Sequence, residues 1–496
     1  MSEQYLIKTF GCQMNVADSE RMSALLSEQG MSATEDPSQA NVILINGCTI
    51  REKAVHKALS ALGRLQSLKQ DEAGIRRDGA PLIGVGGCVG QLDRKKLFQN
   101  APYLDFVFGT DAIDQLPEII HRVKHGERHV VYADFDQSMS YSTETKLLGN
   151  RSQAFVNIMK GCDKYCTYCI VPYTRGREKS RTISEVVDDI ARLVASGVKE
   201  VTLLGQNVNS FGKGNRNTLG RKPQELHNCI GKVGPRMGEE NFPQLLRALD
   251  QDPRLSELKR IRFTSSHPLD FSDELIECYA PAQKGGVGKL AAHLHLPVQS
   301  GSNAVLQKMG RHHQIETYVA QMDRLRELCP EVGLSSDFIV GFPTETEADF
   351  EQTLALLERI EFDQVYAFAY SPRPGTRAVK MRDDVPPSVK NERLNRLLQV
   401  QNLISDRRYA SRVGKVMEVL VEGEAKNQKM TATSDSSETQ GTPSPERVWT
   451  GKTSCSRVVN FVSSSPRNLT GQLVSLKITG SSAVSLKGEL ILGELQ

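Results

Sequence analysis

The stretch Gly161-Cys162-Asp163-Lys164-Tyr165-Cys166-Thr167-Tyr168-Cys169 decides how this chain is read. It follows a short β-type run, Phe155 to Met159, and sets three thiols at Cys-x3-Cys-x2-Cys with no fourth cysteine in the same loop. Three closely spaced thiolates can hold three irons of a four-iron cluster, which leaves the fourth iron open. An open, electron-rich iron can chelate a ligand and pass one electron into it, whereas a structural zinc site is closed by four protein ligands. A zinc knuckle and a ferredoxin-type electron carrier are the competing readings, and a βα barrel is the scaffold of neither.

Outward from this loop the pattern is βα throughout. From Gln153 to about Val385, strand-like runs at Phe155 to Met159, Glu200 to Leu204, Arg260 to Thr264, His293 to Leu296, Ser336 to Val340 and Gln364 to Ala369 alternate with amphipathic stretches. Six such units are too few for the eight-fold barrel, so an open, partial (β/α)6 barrel is expected, with its site at the strand carboxyl ends. Phe211 to Asn241 and Ala280 to Lys289 are rich in Gly, Lys, Arg and Pro and read as surface insertions.

The first 145 or so residues predict a doubly wound parallel sheet, with strands at Tyr5 to Phe10, Asn41 to Ile45, Pro81 to Val85 and Asp105 to Phe108. Helices are expected at Val16 to Gln29, Ile50 to Lys69, Asp93 to Phe98 and Ile113 to Lys124. The first three strands end in Gly11-Cys12, Gly47-Cys48 and Gly86-Gly87-Cys88. In a parallel sheet all carboxyl ends share one edge, so Cys12, Cys48 and Cys88 can meet in one crevice. A glycine before each lets the backbone turn tightly beside a bulky ligand.

A polar linker, Asp134 to Arg151, joins the two units. Beyond Pro386-Pro387, Ser388 to Arg412 reads as a helix carrying Lys390, Arg393, Arg396, Arg407, Arg408 and Arg412. Val416 to Glu422, Ser456 to Val462, Gln472 to Ile478 and Ser485 to Leu492 then form β-type segments without intervening helices, which suggests a small antiparallel barrel. The Ser/Thr-rich stretch Ala425 to Glu446 is expected to be a disordered loop. The division is thus 1–145, 151–385, a basic helical linker at 386–412, and 413–496.

Composition agrees with a soluble globular chain. At 496 residues roughly three domains are expected. Apolar residues at 39% and charged residues at 24% exclude disorder throughout and a membrane bundle. No apolar run of about 20 residues occurs, and Met1 to Gly11 lacks the layout of a signal peptide, so a cytoplasmic location is expected. In that reducing compartment the ten cysteines are not a disulfide frame. A net charge of +3 means that any nucleic-acid role must come from local patches. Gly451-Lys452-Thr453 is no phosphate loop, because Glu446 stands where its first glycine should be. His293, His295, His312 and His313 lack a carboxylate to complete a metal triad, and Cys229, Cys278, Cys329 and Cys455 are scattered singly.

With an aromatic residue just before its last cysteine and a partial βα barrel behind it, the Cys162–Cys169 loop resembles the radical S-adenosylmethionine superfamily. Lys164 to Glu178, Leu203-Leu204-Gly205-Gln206-Asn207-Val208-Asn209, His295 to Ser302 and Asp337 to Pro343 narrow the resemblance to its methylthiotransferases, closest to the tRNA-modifying MiaB branch. Gly11 to Asn15, Cys48 to Ala54 and Gly84 to Val89 resemble the segments by which that family holds a second, auxiliary cluster. Gly47, where relatives usually carry threonine, is a small departure.

The resemblance implies two 4Fe-4S clusters, one on Cys162, Cys166 and Cys169 and one on Cys12, Cys48 and Cys88, with S-adenosylmethionine on the open iron of the first. Gly205, Gln206, Ser300 and Gly341 are candidate S-adenosylmethionine contacts by their strand-end positions. The implied substrate is N6-isopentenyladenosine at position 37 of the tRNA anticodon stem-loop, methylthiolated at C2. That C–H is neither acidic nor electrophilic, so acid-base catalysis is ineffective there and a radical is needed. The C-terminal barrel is implied to be a TRAM module that grips RNA, with Arg457-Val458-Val459-Asn460-Phe461 as its hallmark strand and Arg447, Lys452 and Arg467 near phosphates, and the RNA is expected to dock on this barrel and on the basic helix before it. An electron donor such as flavodoxin or ferredoxin, a sulfur source and a monomeric state are also expected. The rival activities are methylthiolation of threonylcarbamoyl-adenosine or of a ribosomal-protein aspartate. A further alternative is a non-catalytic iron-sulfur protein that binds RNA or carries electrons.

Overall fold

The structure, a computed structural model, describes residues 3–49, 52–70, 79–135, 143–147, 151–213, 240–428 and 446–491. The N-terminal sheet has strands β1 (Gln4–Phe10), β2 (Ser32–Ala33), β3 (Val42–Gly47), β4 (Leu82–Gly86), β5 (Phe106–Phe108) and β6 (Val130–Tyr132) in the order β2-β1-β3-β4-β5-β6, all parallel. Every residue of β3 is buried, as its unbroken Val-Ile-Leu-Ile run requires of a central parallel strand. Two separate apolar layers cover the two faces. Helices α1 (Gln13–Glu28) and α6 (Leu116–Lys124) pack on Val42, Leu44, Phe106 and Phe108, while α2 (Glu52–Arg64) packs on Ile43, Ile45 and Ile83. The doubly wound sheet is as expected; β2 and β6, of two and three residues, were too short to show a period.

Two helices differ from expectation. The one read from Ile50 to Lys69 begins at Glu52 among the described residues and breaks after Arg64 before the short α3 (Gln66–Lys69). The one read from Asp93 to Phe98 starts six residues earlier as α4 (Gly87–Asp93) and resumes as α5 (Lys96–Asn100). The cause is Gly87 at φ +74°, where a Cβ would lie 2.2 Å from Asn46 Oδ1; glycine lets β4 turn straight into α4 with Cys88 in its first turn.

Residues from Gln153 onward build six parallel strands, β7 (Gln153–Asn157), β10 (Glu200–Leu204), β11 (Arg260–Phe263), β12 (His293–His295), β13 (Gly333–Val340) and β14 (Gln364–Ala369). They pair as β7-β10-β11 and β12-β13-β14, and a parallel bridge from Ile261 to Leu290 joins the two halves. This is the expected open six-stranded barrel. The minor ladder β8 (Met159–Lys160) with β9 (Lys179–Ser180) brackets the cluster loop and α7 (Val171–Thr174). Helix α8 (Ile183–Ala195) starts at a capping box in which Thr182 and Glu185 satisfy each other's backbone N–H, and it buries Val186, Ile190 and Leu193. Of the two insertions, 214–239 lies outside the described residues. Ala280 to Lys289 is a turn tied by Gly288 and Lys289 N–H groups to Asp250.

The C-terminal strands β15 (Val416–Glu424), β16 (Arg447–Thr453), β17 (Val458–Ser463), β18 (Leu473–Ser481) and β19 (Leu486–Leu490) close a barrel in the order β15-β16-β17-β19-β18 around Trp449, Phe461 and Leu476. It has one strand more than expected, β16, and one parallel pair, β17 with β19. Most of the expected loop, 429–445, lies outside the described residues. This barrel sits at the amino ends of the larger barrel's strands. Arg260 donates to the Lys452 and Glu418 carbonyls, Arg262 to those of Thr453 and Ser454, and Gln153 to Glu422.

The basic helix, Pro387–Ala410, is not a free cationic surface. Lys390 pairs with Asp383, Arg393 with Glu345 and Glu347, Arg396 with Glu347 and Glu351, Arg407 with Glu361, Arg408 with Asp363, and Arg412 just beyond the helix with Glu331. It is a helix of the large barrel's outer layer, packed on β14 and on helix Glu347–Ile360. Its charges hold the fold together, so the expectation of an RNA-facing helix is corrected. Likewise Arg457 is buried against Asp363, and Arg447 and Lys452 pair with Glu424 and Glu422; Arg467 is exposed.

Candidate active site: two thiol triads at facing strand ends

Cys12, Cys48 and Cys88 follow β1, β3 and β4, three neighbouring strands, and therefore stand side by side on one carboxyl edge. Cys12 is the N-cap of α1; its backbone N–H and its thiol both donate to Asn15 Oδ1, at 3.3 and 3.4 Å. Asn15 in turn donates to Asn46 Oδ1 at 3.0 Å, and Asn46 to the Asn15 carbonyl at 2.8 Å and to Ser19 at 2.9 Å. This amide ladder fixes the strand-to-helix turn under the sulfurs. Hydrogen bonding from Cys48 draws the Cys12 and Cys88 thiols down to about 6, with the Arg175 guanidinium adding to both, while Cys48 is held far above the ordinary thiol range.

The second triad lies at the mouth of the six-stranded barrel. Gly161 at φ +77° opens the loop, and a Cβ there would meet the Arg177 carbonyl at 2.0 Å. Cys162 N–H donates to the Gly176 carbonyl at 3.2 Å, Cys169 N–H to Cys166 at 3.0 Å, and Thr167 N–H to Met309 at 2.8 Å. Asp163 accepts two bonds from Arg177 at 2.5 and 3.0 Å. The loop is therefore held from three sides before any ligand arrives. Burial pushes Cys162 well up and Cys169 up to about 12, so these sulfurs become thiolates only if a cation is placed among them. Among the described residues, no group of three or more His, Cys, Asp or Glu side chains is disposed to hold a single metal ion. Each triad offers sulfur only, which is the donor set of an iron-sulfur cluster.

The barrel mouth also keeps buried polar atoms that have no hydrogen-bond partner among the described residues. Asn157 Oδ1 ends β7, Asn207 Oδ1 follows β10, and Ser266 Oγ and His267 Nε2 follow β11; Arg311 Nε and both His313 nitrogens complete the set. Buried polar atoms are ordinarily satisfied, so such a ring at the strand carboxyl ends fits a polar ligand. Arg311 also points Nη1 at Cys166 Sγ, 3.9 Å away. Beside them Lys164 pairs with Asp270 at 2.7 Å, and burial raises the Glu178 carboxyl to about 7.

The candidate contacts divide. Gln206 Oε1 accepts from Gly161 N–H and Gly205 packs on Met159, both at the mouth. Ser300 turns its hydroxyl to Ser302 N–H and Thr353, and Gly341 abuts Lys390, so both serve the barrel's outer layer. Asn15, Asn46, Arg175 and Arg311 were missed. Asn15 and Arg175 lay inside quoted motifs, but nothing in the sequence tells a buried arginine from a solvated one.

The two triads border one seam between sheet and barrel. Met14 and Ala17 of α1, with Cys12, pack on Leu204 and Phe155 of the barrel. Across the same seam Arg175 donates to Asp18 at 2.7 Å, Thr110 to the Thr174 carbonyl at 2.9 Å, and Lys160 to Asp111 at 2.9 Å. Residues 156–357 match the Radical SAM superfamily, and residues 4–109 match the family described as Uncharacterized protein family UPF0004. The cobalamin- and [4Fe-4S]-containing radical S-adenosylmethionine methyltransferase TsrM from Kitasatospora setae has the same fold, with a TM-score of 0.51 at 13% identity over 76% of this chain and 77% of that one. Fold and site thus define a radical S-adenosylmethionine enzyme.

Its closer likeness is to the tRNA-2-methylthio-N(6)-dimethylallyladenosine synthases. That of Acidovorax sp. (strain JS42) is 40% identical over 100% of this chain and 99% of its own length, and that of Bacillus subtilis (strain 168) is 40% identical over 98% and 86%. The chain belongs to this synthase family.

Proposed function

We propose that this enzyme inserts a methylthio group at C2 of N6-isopentenyladenosine at position 37 of tRNA. The observation that carries the proposal is the placement of two all-thiol triads along one seam. A single triad would suffice for radical generation; a second one beside the mouth fits a sulfur donor. S-adenosylmethionine, when bound with a 4Fe-4S cluster on Cys162, Cys166 and Cys169, supplies radical chemistry at an unactivated C–H, and the cluster on Cys12, Cys48 and Cys88 supplies sulfur.

The chain's own residues do the rest. Arg311 offers its guanidinium to the Cys166 sulfur and, with His267 and His313, lines the space above it. Burial keeps both imidazoles neutral at pH 7, so they can accept or donate a hydrogen bond without adding charge. The sheet set over the mouth excludes water from the reacting base. An electron donor such as flavodoxin or ferredoxin, a sulfur source and a cytoplasmic setting complete the proposal; no described helix is long and apolar enough to cross a membrane. The test is mass spectrometry of tRNA nucleosides from a deletion strain. The methylthio nucleoside should vanish and its isopentenyl precursor accumulate; an unchanged profile would sink the assignment.

A further inference from the structure

Arg175 closes the turn after the Cys162–Cys169 loop, yet its side chain belongs to the other triad. It is 6% exposed and donates to Asp18 Oδ2 at 2.7 Å. Asp18 is itself buried on α1, the helix that Cys12 caps. Arg175 caps α7, the helix packed against α4, which carries Cys88, and its charge acts electrostatically on both Cys88 and Cys12. The barrel thus delivers a permanent cation beside the sulfurs that the sheet supplies, and Asp18 offsets part of its charge.

We propose that Arg175 is the positioning residue that sets the reduction potential of the iron-sulfur group at Cys12, Cys48 and Cys88, with Asp18 as its counterweight. The inference rests on the two-cluster reading above. Hydrogen bonds and net charge at the cluster sulfurs are what a protein uses to move such potentials. A cation beside the sulfurs favours the reduced form, whereas a carboxylate behind the cation opposes it. The charge comes from the barrel, so the group acquires its working potential only when sheet and barrel are seated together.

The experiment uses the full chain with Cys162, Cys166 and Cys169 all replaced by Ala, which isolates one cluster, reconstituted anaerobically and titrated with dithionite and mediators under electron paramagnetic resonance. Arg175→Met should raise the ratio of oxidised to reduced cluster about tenfold at a fixed potential, equivalent to about 59 mV for one electron. Arg175→Lys should recover most of that change, and Asp18→Asn should shift the ratio in the opposite direction. A residue that only holds sheet to barrel would shift Arg175→Met and Asp18→Asn alike, or neither; either result overturns the proposal. Should Arg175→Met lose its iron, Asp18→Asn decides alone, and an unchanged or more oxidised cluster overturns it. A parent triple variant without iron or cluster signal would overturn the two-cluster reading, and this proposal with it.

Discussion

Arg457, in the C-terminal barrel, is buried in an ion pair with Asp363 at the foot of the large barrel. Asp363 also accepts from Arg408 and from Leu334 N–H, and the guanidinium lies 5.5 Å from the centre of the Tyr409 ring. One carboxylate therefore joins the C-terminal barrel, the basic helix and the amino ends of β13 and β14. The small barrel is fixed at the end opposite the thiols.

Arg457→Ala leaves Asp363 buried with half of its compensation, so it is expected to cost about 3 kcal/mol of stability. Denaturant unfolding should show the loss, and limited proteolysis should cut the C-terminal barrel first. Radical cleavage of S-adenosylmethionine without RNA is expected to persist, because no thiol of either triad is near the joint; the thiol there is Cys455, which accepts from Arg457.

The same geometry sets a distance. The eight residues of β13 alone span roughly 26 Å between the barrel's two ends. If the C-terminal barrel grips the RNA as the resemblance implies, its contacts fall on nucleotides far from the reacting base. Arg467→Ala should weaken anticodon stem-loop binding about two- to fivefold and lower the salt slope by about 1. Arg447→Ala and Lys452→Ala should do less, since Glu424 and Glu422 already neutralise those side chains. Binding measured at two salt concentrations checks both statements.

What was legible in the sequence was local. Val42 to Ile45 could only be a buried strand, Gly161 to Cys169 fixed its own ligand spacing, and a glycine before each of Cys12, Cys48 and Cys88 marked the sheet edge. What was not legible depends on partners distant in the chain. Strand β16 is absent from the expected strands because Trp449 acquires a core only from β15 and β17. The arginines of Pro387–Ala410 read as a docking face because their carboxylates, Glu345, Glu347 and Asp363, come from other elements. Ser300 and Gly341 follow strands, as ligand contacts do, but face the outer helices. A strand-end position fixes height in the barrel and not direction.

His293 contributes to the pH dependence, alongside His267, His295 and His313, whose imidazoles are lowered in the same direction. Burial, and after it Arg262, His295, Arg457 and Lys452, hold the His293 imidazole well below 6.5. The folded protein keeps it neutral, while the unfolded chain takes up a proton below pH 6.5. Stability is thus full above that pH and falls as pH drops through it, by up to about 1.4 kcal/mol per unit. The thermal midpoint should decline between pH 7.5 and 5.5, and His293→Gln should flatten the decline by about 1 kcal/mol. Equal slopes in the two proteins would remove His293 as a cause.

The two triads are expected to fail in different ways. Cys162→Ala removes a thiol from the barrel mouth and should abolish cleavage of S-adenosylmethionine, with no methylthio product and no 5′-deoxyadenosine. Replacing Cys12, Cys48 and Cys88 together by Ala leaves the mouth intact, so cleavage should continue while sulfur insertion stops. Iron analysis of anaerobic protein should fall from about eight atoms per chain to about four in either variant. Asn15→Ala is the finer test, because it removes only the acceptor beneath Cys12 and the first rung of the ladder to Asn46. It should weaken retention of the auxiliary iron about 10- to 100-fold, as loss of an outer-shell partner does, without changing cleavage at the barrel mouth. Methylthio product from the triple variant would show that the cluster held by Cys12, Cys48 and Cys88 does not deliver the sulfur.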